Sequence, residues 1–310
     1  MKRTLREAMK RGLRLLFEGG QRLGVDILPR HYYSEIPDLR ELRRTRHWRQ
    51  PLSMVGVMGT DIERQLAFVR THCSPAVLEV LRARDVHAEA CAANGGPGYG
   101  RVEADFLYAF VRTARPRQIF QIGCGVSTAL CLRAAADAGY TLELTCVEPY
   151  PNDFLRDQAA RGALTLVERQ AQLLEPERIR ALGADLLFFV DATHTLGPAG
   201  EVSRIVLDML PLLSAGAHVH FHDITFPYDY DRHTLDRALV FPHESVLLHA
   251  FLAGNARFEL CAALSMLHYA APERLRALLP NYRPAGNDHG LATGPGHFPS
   301  AAYLRVTDGP

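Results

Sequence analysis

The chain changes rhythm near residue 100. Before that point apolar positions recur at helical spacing, broken by Pro29, Pro37 and Pro51. From Asp61 to Arg84 they fit one or two helices, interrupted at Ser74-Pro75. The loop Asn94-Gly95-Gly96-Pro97-Gly98-Tyr99-Gly100 follows. After it, short apolar runs alternate with helical stretches. A helix is expected over Ala104–Thr113. Strands are expected over Gln118–Ile122, Leu142–Val147, Leu164–Val167, Asp185–Val190 and Ala217–Phe221. Helices are expected between them, over Thr128–Ala136, Asp153–Arg161, Glu175–Leu182 and Glu201–Leu213. This alternation predicts an α/β fold with a mostly parallel sheet covered on both faces. A helix over Glu244–Leu252 then leads to a strand over Phe258–Ala262. A polar stretch, residues 280–299, precedes a last strand over Ala302–Val306. With no crossover of their own, these two strands predict an antiparallel closing pair. The expected organisation is a helical N-terminal extension or lid, residues 1–95, and a Rossmann-like domain, residues 96–310.

Composition narrows the class. Of 310 residues, 47% are hydrophobic and 22% charged, which suits an ordinary globular core. The net charge of +1 gives no global pull toward nucleic acid. The six cysteines form no CxxC pair, so a reducing compartment is expected. No apolar run reaches the ~18 residues of a membrane span. A cytoplasmic location follows as an expectation, and self-association is compatible with the sequence. Charge is uneven at the start. Lys2, Arg3, Arg6, Lys10, Arg11, Arg14 and Arg22 face only Glu7 and Glu18 up to residue 22. Leu5, Met9, Leu13, Leu16 and Phe17 recur there at helical spacing. Such a helix can lie on a membrane or an anionic substrate; a helix packed on the domain is the plainer expectation. A second basic cluster surrounds Trp48: Arg40, Arg43, Arg44, Arg46 and Arg49. It lacks the interleaved aromatics of a nucleic-acid platform.

The strand Gln118–Ile122 runs into Gly123-Cys124-Gly125, with Ser127 opening the helix. A glycine turn of this kind lets backbone approach a nucleotide-type ligand at a helix N-terminus. The third fingerprint position is Thr128, neither glycine nor alanine, which disfavours NAD. The acidic residue expected on the ribose hydroxyls is Glu148, ending the next strand.

These features, with Val147-Glu148-Pro149-Tyr150-Pro151 and the late strand pair, resemble class I S-adenosylmethionine-dependent methyltransferases. More narrowly, the chain is similar to the methyltransferase family 24 group. The similarity includes the segment from Leu28 to Asp38, Pro97-Gly98-Tyr99-Gly100, and the segment from His220 to Tyr228. The resemblance implies a seven-stranded sheet with the last strand antiparallel, S-adenosylmethionine as cofactor, and Tyr99 in a segment covering it. Where the family usually carries an acidic residue that often contacts the methionine ammonium, this chain has Gln121. Where the family tends to show Trp-Asn-Glu, only Glu244 is shared, in Phe241-Pro242-His243-Glu244.

In open α/β sheets the site lies beyond the C-terminal strand ends. Two ends are rich here: Asp191-Ala192-Thr193-His194, and His218-Val219-His220-Phe221-His222-Asp223. Strand alternation puts His218, His220 and His222 on one face and Asp223 on the other. Only His222 and Asp223 lie near the ligand end, and His218 and His220 are expected as packed, hydrogen-bonded core residues. Methyl transfer to a hydroxyl needs positioning and proton removal. His194 or His222, beside Asp223, suits the base. Asp191, Asp223 and Glu244 are oxygen donors for a divalent metal such as Mg²⁺, with His222 nearby favouring a transition metal. The leading expectation is O-methylation of a sugar or small natural product. A different class is intramolecular cyclisation of the cofactor to azetidine-2-carboxylate, which releases methylthioadenosine. A cofactor-binding scaffold without catalysis is a third, disfavoured by the acids and histidines at the strand ends.

Overall fold

In the computed structural model, residues 2–34, 36–45, 50–230, 233–283 and 299–309 are described. Glu35, Trp48, Arg46, Arg49 and most of the polar stretch before the last strand lie outside them. The chain forms two compact units, Met1–Thr45 and Arg46–Pro310. The expected boundary near residue 95 falls inside the second. Unit 1 holds α1 (Lys2–Arg22) and α2 (Leu39–Arg44). Asp38 caps α2 by accepting from the amides of Arg40 and Glu41. Met9, Leu15 and Leu16 of α1 are exposed.

Unit 2 opens with α3 (Ile62–His72), α4 (Pro75–Ala83), α5 (Val86–Asn94) and α6 (Arg101–Ala114). Asp61, Ser74 and Asp85 cap the first three by accepting from backbone amides. Pro75 sits in the first turn of α4, where its missing N–H costs nothing. There follow β1 (Gln118–Ile122), α7 (Val126–Ala138), β2 (Glu143–Val147), α8 (Asp153–Ala160), β3 (Thr165–Val167), α9 (Pro176–Arg180), β4 (Leu186–Val190) and α10 (Glu201–Arg204). The chain from Ile205 to Met209 continues α10 as a π-helix, an irregularity that the smooth apolar periodicity of 201–213 hides. The last elements are β5 (His218–Phe221), α11 (Glu244–Leu252), β6 (Phe258–Ala263), α12 (Leu264–Ala270), α13 (Pro272–Leu278) and β7 (Ala302–Val306).

The seven strands form one sheet in the order β3-β2-β1-β4-β5-β7-β6. The first five pair in parallel; β7 inserts between β5 and β6, antiparallel to both. This is the Rossmann-like seven-stranded sheet the sequence resemblance implies. β4 is apolar at every position and buried throughout, as a strand covered on both faces must be. One core lies on the side of α3, α5, α6 and α7, and the other on the side of α10 and α11. The strand order reverses between β1 and β4, the place where such sheets open a crevice.

Buried and half-buried histidines line the first core. His72 sits against Phe68, Phe106 and Phe110. The Thr113 hydroxyl donates to the Ala109 carbonyl, so it accepts from His72 Nδ1–H at 2.7 Å. Burial first, then repulsion by His218, pushes the His72 pKa down to about 4. Burial also takes His218 and His268 to about 4. A folded pKa below the unfolded value of about 6.5 means the unfolded chain binds more protons between these limits. This contribution is complete above pH ~6.5 and is lost as pH falls toward 4. Thermal melts across that window should show a falling midpoint, and His72→Phe should flatten the fall. An equal slope in the variant would show that His72 is not responsible.

Candidate active site

The turn after β1 is built by glycine. Gly123 has φ +78, and a Cβ there would lie 1.9 Å from the Asp191 carbonyl oxygen. The Gly123 amide bonds the Val147 carbonyl, and the Asp191 amide bonds the Ile122 carbonyl. The turn is thus pinned between β2 and β4. Thr128 explains the absent third glycine. Its hydroxyl accepts from the Gly125 amide at 3.1 Å and donates to Gln121 Oε1 at 3.0 Å. Gln121 is fully buried and donates to Ser127 Oγ at 2.7 Å. Gln121 and Ser127 therefore tie strand to helix beneath the turn. A neutral amide suits this buried place better than a charge would.

A cavity of about 510 Å³ opens over the ends of β1, β2 and β4. Gly123, Glu148 and Asp191 line it, with Tyr150, Gln170 and Gln172 at its side. Glu148 Oε1 accepts from the Tyr150 amide at 3.0 Å, and Oε2 from the Cys124 amide at 3.3 Å. Its carboxylate is thereby oriented across the turn. Gly125 packs by Asn94, which accepts from Asn152.

Beside this cavity four carboxyl groups gather around two histidines. His194 Nδ1 donates to Glu244 Oε2 at 2.7 Å. Its Nε2 lies 3.4 Å from both Asp191 Oδ1 and Asp223 Oδ2. His222 Nδ1 donates to Asp191 Oδ1 at 3.2 Å and lies 3.6 Å from Asp223 Oδ1. Ser300 Oγ bonds Asp223 Oδ1 at 2.8 Å, and the Ser300 amide bonds Glu103 Oε1 at 2.7 Å. The amides of His243 and Glu244 donate to the His194 carbonyl, seating the start of α11 on this loop. The Tyr99 ring stacks on His222 at 4.4 Å, and its hydroxyl shares a hydrogen bond with His220 Nε2 at 3.0 Å. Tyr99, His194 and Asp223 all have positive φ, at 54°, 62° and 54°. Such backbone costs about 1–3 kcal/mol per residue and gathers at functional sites.

Electrostatics sets the protonation. Burial disfavours charge on His194, but hydrogen bonds to Asp191 and Glu244 and the field of Asp223 outweigh it, raising its pKa to about 10. Burial is likewise outweighed at His222 by Asp223 and Asp191, again to about 10. Asp191 is buried, yet the two imidazoliums hold its carboxyl well below the usual range. Burial pushes Glu103 and Glu244 up, against the pull of His222 and His194 respectively. His222 Nε2 and Glu244 Oε1 are buried and have no hydrogen-bond partner among the described residues.

Sequence reasoning placed Asp191, His194, His222, Asp223 and Glu244 as candidates, and they converge. Glu244 serves His194 rather than joining the oxygen donors. Among the described residues, the ligand atoms within 4.8 Å of one another belong to Asp191, His194 and Asp223. His218 and His220 pack in the core, against Phe110 and Phe189. Glu103 and Ser300 escaped notice. The signal for Glu103 was an acid inside the apolar run of α6; Ser300, an ordinary serine before a strand, offered none.

A mostly parallel sheet with this reversal, a glycine turn and an acid ending β2 form a Rossmann-like nucleotide-binding arrangement, closed here by an antiparallel pair. Residues 120–224, about a third of the chain, match the family Methyltransf_24, described as a methyltransferase domain. The matched span contains the turn, Glu148, Asp191, His194, His222 and Asp223. A protein of Archaeoglobus fulgidus, described only as uncharacterized, is 28% identical over 186 residues, 56% of this chain and 79% of its own. A methyltransferase of Podospora anserina, solved with SAH bound, is 19% identical with a TM-score of 0.42, over 73% of this chain and 89% of its own. A Klebsiella pneumoniae protein assigned as an O-methyltransferase is 18% identical with a TM-score of 0.40, over 72% and 90%. At such values these likenesses add nothing to what the sheet itself displays.

Gly123→Ala should destabilise the protein by more than about 2 kcal/mol, because positive φ and a clash with the Asp191 backbone coincide. Urea unfolding checks this. An unchanged midpoint would mean the turn relaxes freely.

Proposed function

We propose that the protein binds S-adenosylmethionine over β1, β2 and β4 and methylates a hydroxyl of a sugar or small natural product. One observation carries this reading: Asp191 belongs both to the cavity and to the carboxyl–imidazole cluster. A cofactor in the cavity would present its reactive end to that cluster. Glu148 would accept from the ribose hydroxyls. Gln170 and Gln172 would flank the adenine.

The cofactor is already activated, so the protein must orient the acceptor in line and take its proton. Histidines holding their protons near neutral pH are poor acceptors. Asp223 suits the task better. Its side chain is 44% exposed, against 26% for Asp191 and none for Glu244. The imidazoliums of His194 and His222 would compensate the alkoxide charge that develops. Tyr99, stacked on His222, would hold that ring in place.

The convergence of Asp191, His194 and Asp223 supports a second reading, a bound divalent metal. An imidazole among the donors favours a transition ion over Mg²⁺. Binding would require His194 to lose its Nε2 proton. When bound there, the metal would polarise the acceptor oxygen.

Glu148→Ala should raise the dissociation constant for S-adenosylhomocysteine about tenfold or more, by loss of charged hydrogen bonds. Asp223→Asn should leave that constant unchanged and cut turnover about 100-fold. Calorimetry and single-turnover assays check both; an unaltered constant in Glu148→Ala would displace the site. S-adenosylmethionine incubated with protein alone should yield no product, and hydroxyl acceptors should release S-adenosylhomocysteine, with or without chelator. Methylthioadenosine without acceptor would establish cyclisation instead, and loss of activity on chelation would establish the metal.

A further inference from the structure

Unit 1 has a surface that the proposed methyl-transfer chemistry does not use. Met1–Thr45 holds eleven Lys or Arg against six Asp or Glu, although the whole chain is only +1. The rest of the protein is therefore acidic, and the positive charge is concentrated here. The same unit carries ten of the nineteen large apolar side chains exposed among the described residues. Met9 and Leu16 lie one heptad apart on α1, exposed by 62% and 56%. Tyr32 and Tyr33 are exposed by 86% and 72%. A cavity of about 510 Å³ next to them is lined by Leu28, Arg30, Tyr33 and Ile36. Lys10, Arg11 and Arg22 are exposed on the same helix.

Apolar exposure on this scale marks a docking surface. The charge chooses the occupant. A second copy pairing through the same face would bring one basic unit against another, which like-charge repulsion opposes. Nucleic acid would answer the charge but leave Met9, Leu16 and their neighbours in water. An anionic bilayer answers both. Basic side chains meet the headgroups, apolar ones enter the acyl boundary, and tyrosines sit at the interface. Gly12 and Gly19 have no neighbour filling the space beside them, so packing does not require them. Glycine weakens a helix in water, which suits one that firms up against a surface.

We propose that Met1–Thr45 is an interfacial module that seats the protein on anionic lipid surfaces. The full chain, sedimented with phosphatidylcholine vesicles containing about one third phosphatidylglycerol, should bind at least about tenfold better than with phosphatidylcholine alone. Raising the salt should release it. Met9→Glu with Leu16→Glu should abolish binding, and Lys10→Glu with Arg11→Glu should remove the preference for the anionic vesicles. Both pairs are exposed, so an unchanged melting temperature and unchanged S-adenosylhomocysteine binding will show that unit 2 is intact. No binding to either vesicle, or equal binding to both, would overturn the proposal. A concentration-dependent dimer that Met9→Glu with Leu16→Glu dissolves would overturn it too, by assigning the surface to a second copy.

Discussion

Four carboxyl groups sharing one partly buried place must be compensated by cations or give up part of their charge. Transferring isolated carboxylates out of water costs several kcal/mol each. His194 and His222 supply the compensation here, each bonded through Nδ1 to a carboxylate and close to a second. Removing either ring would leave buried negative charge uncompensated. The arrangement also explains why the chain tolerates left-handed backbone at His194 and Asp223. The strained turns are what aim Nε2 of the one and the carboxylate of the other inward.

The fold brings these groups together because parallel pairing aligns the strand ends. Asp191 follows β4 and His222 follows β5, so neighbouring strands deliver both to the same level. β1, beside β4, delivers Gly123 there as well, and only glycine allows the Asp191 carbonyl to come so close. The remaining members arrive from afar: Glu103 from α6, Glu244 from α11 and Ser300 from the lead into β7. Long-range closure makes the site depend on the whole of unit 2 rather than on one motif.

Much of this was legible in the residues. Apolar runs bounded by turn residues placed all seven strands, most plainly β4, which is buried on both faces and apolar at every position. The glycine turn and Glu148 were readable because backbone conformation and close approach restrict residue type. Gln121 read as a cofactor-site residue standing where an acid is usual. Its bonds to Ser127 and Thr128 add a packing task, which depends on side-chain directions that spacing does not encode. The histidines read as bases for a similar reason. Their type suggested titration near neutral pH, whereas the field of the surrounding acids, assembled only in three dimensions, keeps them protonated. Glu244 read as an oxygen donor, but the connection before α11 turns it to His194 Nδ1. Boundaries were less legible than elements. The helices from 62 to 94 belong with the sheet, and nothing in their local pattern distinguishes packing there from a separate extension.

In the proposed reading, the cavity over β1, β2 and β4 holds the cofactor with its sulfur toward Asp223 and His222. A crystal structure with S-adenosylhomocysteine bound is the decisive test. Ribose hydroxyls are expected on Glu148 and adenine beside Gln170 and Gln172, with open space between the sulfur and the Asp223 carboxylate. A ligand lying elsewhere, or a sulfur walled off from Asp223 and His222, would contradict it.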